Sequence, residues 1–132
     1  VEKGDEIALS NPQKEIIDKG GFIFFAQVQE TIVGTVALLK KSDFVFELGK
    51  MAVSENHRGK GIGQQLLQYS INFAKEKHIR KIILYSNTRL VQALHLYQKF
   101  GFKEIPLEKG LYERADIKME LDIAEDWSDM KI

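Results

Sequence analysis

The sequence predicts an α/β domain built around a mixed sheet, and three observations carry that reading. β-rich runs crowd the segment from Phe22 to Val53. At Ile62 the apolar period changes from alternating to helical. A short, nearly all-apolar run at 81–86 then stands between two amphipathic stretches, as a strand covered on both faces does. Strand, helix and strand in that order call for a right-handed parallel crossover from residue 44 to 86.

Each element has its own signal. Ser10-Asn11-Pro12 reads as a helix cap with proline in the first turn; Ile16 and Ile17 form a short apolar face, and Gly20-Gly21 stops it. "FIFFAQV" (22–28) and "TIVGTVALL" (31–39) are strands close enough for a hairpin around Gln29-Glu30, although those are weak turn residues. "FVFELGKMAV" (44–53) is the third strand, and Gly49 marks a candidate bulge. Ile62, Leu66, Leu67, Ser70, Ile71 and Ala74 mark one helical face that ends near His78, with Lys75, Lys77, Arg80 and Lys81 where the helix dipole favours cations. "KIILYS" (81–86) is the covered strand. "TRLVQALHLYQKF" (88–100) is a second helix, with Leu90, Ala93, Leu94, Tyr97 and Phe100 on one side and Gly101 as terminator. "FKEI" and "ADIKMELDI" (115–123) close the sheet, and the tail from 124 to 132 allows a short docked helix around Trp127.

Composition narrows the function. The 132 residues suit a single domain, 1–132, that buries about two-thirds of its unfolded surface. Nineteen basic and nineteen acidic side chains cancel, so no global field points to nucleic acid or to an anionic membrane, and any anion site must be local. The absence of cysteine excludes disulfides, thiolate zinc sites and cysteine nucleophiles. His57, His78 and His95 have no metal-ligand spacing, so no metal centre is expected. No stretch reaches the roughly 18 apolar residues of a membrane span, no secretory h-region opens the chain, and a cytoplasmic location is expected.

One stretch needs a chemical reason. "HRGKGIGQQLL" (57–67) places Gly59, Gly61 and Gly63 between a strand and a helix, although glycine is a poor helix former. The first N–H groups of a helix have no internal partner, and without β-carbons an anion can reach them. Arg58 and Lys60 add positive potential, so phosphate or diphosphate is the natural ligand. A Walker loop would end in Gly-Lys-Ser/Thr, whereas Gly63 is followed by Gln64-Gln65; a dinucleotide fingerprint lacks its third glycine.

Arg58-x-x-Gly61-x-Gly63 after "KMAV" resembles the acetyl-CoA-binding motif of the GNAT superfamily of N-acetyltransferases. The likeness continues through "NTRLVQALHLYQKFGF" (87–102) to "YERADIKMEL" and covers about residues 20 to 123; the family's opening strand and long helix before Ser10 are expected to be either truncated in this sequence or shortened in this fold. The resemblance implies a largely antiparallel mixed sheet with one parallel crossover, helices on both faces, and acetyl transfer from acetyl-CoA to a small-molecule, peptide or protein amine. It implies that the amides of Arg58, Gly59, Lys60, Gly61, Ile62, Gly63 and Gln64 hold the coenzyme diphosphate, while backbone groups of Met51, Ala52 and Val53 pair with the pantetheine arm. It places the family's acid tyrosine at Tyr97 and, in several branches, a catalytic glutamate at Glu47.

The residues themselves leave room for those roles. Tyr97 lies on an apolar stripe, where a ring packs while its hydroxyl points elsewhere. Glu47 is the one acid between Phe44 and Val53 and shares strand parity with Val45, Met51 and Val53. Asn87 is open to bonding the pantetheine or capping the following helix. Ala93 is small enough to make room for the arm or simply to pack, and Lys99 is open to a coenzyme phosphate or to solvent. A non-catalytic acyl-CoA-binding module and a nucleotide-binding enzyme are the alternative readings. An exposed sheet edge near 22–39 would also let a second copy dock as a homodimer.

Overall fold

A computed structural model describes residues 17–110 and 112–123. Strands β1 (Phe22–Val28), β2 (Thr31–Lys40) and β3 (Val45–Val53) form an antiparallel meander. Helix α1 (Ile62–Glu76) carries the chain to β4 (Lys81–Ser86), which runs parallel to β3. Helix α2 (Val91–Lys99) then leads to β5 (Lys103–Ile105) and β6 (Ile117–Asp122). The six strands lie in the order β1-β2-β3-β4-β6-β5, with every pair antiparallel except β3 and β4. The expected mixed sheet and its parallel crossover are therefore present.

Of the first expected helix, only its end at Ile17 and Asp18 falls within the described residues; the cap at Ser10-Asn11-Pro12 and the tail around Trp127 lie outside them. The hairpin at Gln29-Glu30 forms despite its composition: Val28 pairs with Thr31, and Gln29 takes a left-handed φ of 56°. The Gln27 amide donates to Gln29 O at 3.1 Å across the turn. The second helix starts later than its sequence pattern suggests, at Val91 rather than 88. Thr88 explains the delay, because its amide and hydroxyl both donate to Asp116 at 2.8 Å and hold the chain in a turn.

Alternation along the strands builds one core. Val36 and Leu38 of β2, Phe46 and Leu48 of β3, Ile82 and Leu84 of β4, and Met119 and Leu121 of β6 share a face through the strand register. Leu66, Leu67, Ile71 and Ala74 of α1 cover one half of that face, while Tyr97 of α2 and Phe102 cover the other. Both described helices thus lie on the same face, and the opposite face carries Glu47 and Tyr85.

Two local features control how α1 and β3 present themselves. An ideal Cβ on Gly34 would meet Leu66 Cδ1 at 3.0 Å, Ile62 Cγ2 at 3.2 Å and the Ala52 carbonyl at 3.3 Å, so a bare backbone on β2 lets α1 seat. In β3, Lys50 and Met51 stand opposite the single Val36, and Lys50 adopts a φ of 52°. The bulge therefore sits one residue beyond the Gly49 expected from sequence. It also overturns the parity argument. Ala52 now shares the Glu47 face through its partner Thr35, whereas Val53, opposite Gly34, turns toward α1. One inserted residue reverses every later side chain of a strand.

Because the Ala52 carbonyl cannot retreat like a side-chain tip, Gly34→Val should destabilise the fold by about 1–3 kcal/mol through overpacking. Urea unfolding should show a lower midpoint at an unchanged m-value; an unaltered midpoint would remove the close-approach argument.

Candidate active site

Parallel pairing between β3 and β4 runs only from Val45 with Lys81 to Leu48 with Leu84. Beyond that point the strands part. Inter-strand bonds that would continue the ladder are missing, and a cleft of about 480 Å³ opens between Glu47 and Met51 of β3, Tyr85 near the end of β4, Asn87 just past it, and Tyr97 of α2. Such a cleft at the carboxyl end of parallel strands is a natural place for a ligand.

Glu47 enters the cleft from β3, and its residue is only 5% exposed. It is not alone against apolar neighbours. The Tyr112 hydroxyl donates to its two oxygens at 2.9 and 3.2 Å, and the Lys41 ammonium lies 3.2 Å from Oε1. A buried carboxylate needs such partners, since desolvation otherwise penalises its charge heavily. Tyr112 went unnoticed in the sequence because it sits in the loop before β6, sixty-five positions from Glu47, with no periodic signal. Its hydroxyl is pushed up to about 12, first by desolvation and then by the Glu47 carboxylate it serves. The Tyr85 ring meets the Tyr112 ring edge-on at 4.8 Å.

Tyr97 enters from the other side. Its ring packs against Phe102 at 5.8 Å between centroids and is buried with the core, as the stripe on α2 requires. Its residue nevertheless lines the cleft, and its hydroxyl bonds to no described residue. Burial raises its pKa above the usual phenol value, so the hydroxyl keeps its proton.

Asn87 lines the same cleft, yet its side chain is engaged by protein: Nδ2 donates to Arg114 O and Oδ1 accepts from the Arg89 amide, both at 2.8 Å. Of the two roles open to it, the turn before α2 has its side chain. Ala93 packs against the core and does not line the cleft.

The glycine-rich entrance lies at the N-terminus of α1, outside the cleft lining. Gly59 and Gly61 have φ of 78° and 82°, and an added Cβ at either would meet nothing within 4 Å. Their lack of a side chain therefore leaves open space over the backbone. Gly63 differs: its backbone is ordinary, and a Cβ would touch Val53 Cγ2 at 4.0 Å. The helix ladder begins with the Gln65 amide donating to Gly61 O. Among the described residues, the amides of Gly59, Lys60, Gly61, Ile62, Gly63 and Gln64 donate to no protein acceptor. Arg58 is the exception in this run. Its amide reaches Glu55 O at 3.4 Å and its Nε donates to Val53 O at 3.1 Å, so it braces the loop. Lys99 adds a cation beside the first turn of α1, 3.5 Å from Gln64 Oε1. Met51 borders the cleft, while Ala52 and Val53 pair with β2 on one edge only, because β4 has already diverged.

Among the described residues no group of side chains is placed to hold a metal ion, and no helix is long and apolar enough to cross a membrane.

Residues 3–102 match the model of the acetyltransferase (GNAT) family. The chain is 31% identical over 113 residues to the uncharacterized N-acetyltransferase YvbK of Bacillus subtilis (strain 168), covering 83% of this chain and 73% of that protein. It is 29% identical over 102 residues to human N-acetyltransferase 8B, covering 73% of this chain and 45% of that protein, so it spans less than half the relative's length. A GNAT family acetyltransferase from Elizabethkingia anophelis, solved with acetyl-CoA bound, superposes with a TM-score of 0.70 at 27% identity, over 92% of this chain and 91% of the other.

The phenols give a pH test of the fold. Tyr97 and Tyr112 hold their protons more tightly folded than unfolded, so their stabilisation is complete below the unfolded value of about 10 and is lost as pH rises through the folded values. Urea unfolding between pH 9 and pH 11.5 should show falling stability, with a shallower fall in Tyr112→Phe; parallel slopes would contradict the raised pKa of Tyr112.

Proposed function

The chain belongs to the acetyltransferase (GNAT) family, and on that premise we propose that it moves an acetyl group from acetyl-CoA to a primary amine by direct attack in a ternary complex. The observation that carries this reading is one cleft holding a buried carboxylate on β3 and a proton-bearing phenol on α2, next to a helix N-terminus with open amides.

The residues fit the coenzyme. The unpartnered amides from Gly59 to Gln64 would hold the diphosphate, with Lys60 and Lys99 adding positive potential and Arg58 keeping the loop in shape. The unpaired edge of β3 around Met51 and Ala52 would pair with the pantetheine arm as a strand would. Bound acetyl-CoA supplies an activated thioester carbonyl. Positioning supplies much of the rate, because two reactants held in line avoid a large entropic barrier.

Glu47 takes the proton released by the attacking amine, directly or through water. Tyr112 and Lys41 occupy part of its hydrogen-bonding capacity and fix its orientation, while an ionised carboxylate has about four acceptor sites to offer. Tyr97 gives its proton to the departing thiolate. A thiol near 8.5 and a phenol near 10 make that transfer uphill by about 2 kcal/mol, and burial of Tyr97 adds to it. A single oriented donor in a cleft can bear that cost, and no other unengaged hydroxyl described here lies at the same place on α2.

Tyr97→Phe should lower kcat about 10²–10³-fold with little change in acetyl-CoA affinity. Unchanged turnover, or coenzyme binding without turnover of any amine, would instead favour an acyl-CoA-binding module. Glu47→Gln should lose more activity at low pH than at high pH, since the acceptor then supplies its own neutral amine; a uniform loss would rule out base action. Acetyl-CoA at a hundredfold excess over Kd should stabilise the protein by about 2.7 kcal/mol, and stabilisation by ATP or NAD alone would point to a nucleotide enzyme.

A further inference from the structure

Charge on the cleft wall is unbalanced. Glu47, Lys50 and Arg114 are the charged residues that line it. Glu47 is already matched by Lys41 at 3.2 Å and by the Tyr112 hydroxyl. Neighbouring acids are matched too: Glu108 pairs with Lys118 at 3.0 Å, and Asp116 accepts two bonds from Thr88. Glu113, between Tyr112 and Arg114, is exposed and is not part of the lining. Lys50 and Arg114 make no ion pair with any described residue. Two exposed cations therefore face one cleft with no partner among the described residues.

The backbone at Lys50 strengthens the case. Lys50 sits at the β3 bulge with a φ of 52°, a conformation that glycine or asparagine adopts more cheaply. A long cationic side chain stands there at a bulge that re-aims the strand toward the cleft lining.

Resting on the acetyl-transfer reading, we infer that the acceptor is a primary amine that also bears a carboxylate, as free amino acids and short peptides do, and that Lys50 and Arg114 select it. The amine lies toward Glu47, and the carboxylate lies toward the two free cations. Arg114 offers a planar fork suited to a carboxylate, and Lys50 offers a point charge. A polycation such as a polyamine would bring further positive charge against both, so the same pair rejects it. The coenzyme diphosphate is assigned to the separate loop at 59–64, which leaves Lys50 and Arg114 to the acceptor.

Thiol release from acetyl-CoA, followed with L-amino acids and dipeptides, their carboxamides, and spermidine, tests this. Free-carboxylate acceptors should give kcat/KM values at least about tenfold above the matching carboxamides, and spermidine should be poorest. Arg114→Gln and Lys50→Gln should each reduce that discrimination severalfold by raising the KM of the carboxylate acceptor, with the acetyl-CoA KM unmoved. Both sites are exposed, and an unchanged Tm verifies the fold. Preference for spermidine or for carboxamides would overturn the inference while leaving acetyl transfer intact, as would variants that raise the acetyl-CoA KM. No thiol release with any amine would sink the acetyl-transfer reading and this inference together.

Discussion

A parallel ladder that stops early governs this molecule. β3 and β4 pair from Val45 to Leu48 against Lys81 to Leu84, and then separate. Backbone groups past that point cannot be satisfied by the neighbouring strand, so a buried, closed sheet is not an option there. The gap must be filled by water or by a ligand with strand-like polarity. Tyr97, Met51 and Asn87 come together around this opening although they belong to different elements.

What keeps the opening in shape is the packing behind it. Leu48 and Leu84, the last paired residues, belong to the core that α1 and α2 cover. Gly34 lets Leu66 and Ile62 approach β2, which sets the position of the first turn of α1. The open amides therefore project from a helix anchored in the core. A flexible glycine loop alone would have no fixed direction; tied to α1 and braced by Arg58 on Val53 O, it has one. The stability of the fold and the direction of the open amides thus depend on the same contacts.

The bulge at Lys50 and Met51 has a second consequence. By adding one residue opposite Val36, it separates β3 into two halves with opposite facing. Glu47 looks into the cleft with Lys41 and Tyr112 around its carboxylate, while Val53 turns to α1 and supports the glycine loop. A regular strand would place both side chains on one face and could not present one to the cleft and the other to α1.

Local rules set much of this from the sequence. β-rich apolar runs predict the strands at 22–28, 31–39 and 81–86, helical spacing predicts α1, and the glycines before it predict a backbone left open to a ligand, because those signals act within a few residues. The parallel crossover followed from chain order alone. Tertiary structure decided the rest. Gly49 signals a bulge in β3, but Lys50 carries no turn signature, so its exact place and the reversed facing of Val53 are not legible; Tyr112 reaches Glu47 across sixty-five positions, and Asp116 delays α2 from twenty-eight positions away. Contacts between distant residues depend on how strands register and part, and that geometry is fixed only when the whole sheet has assembled around its core.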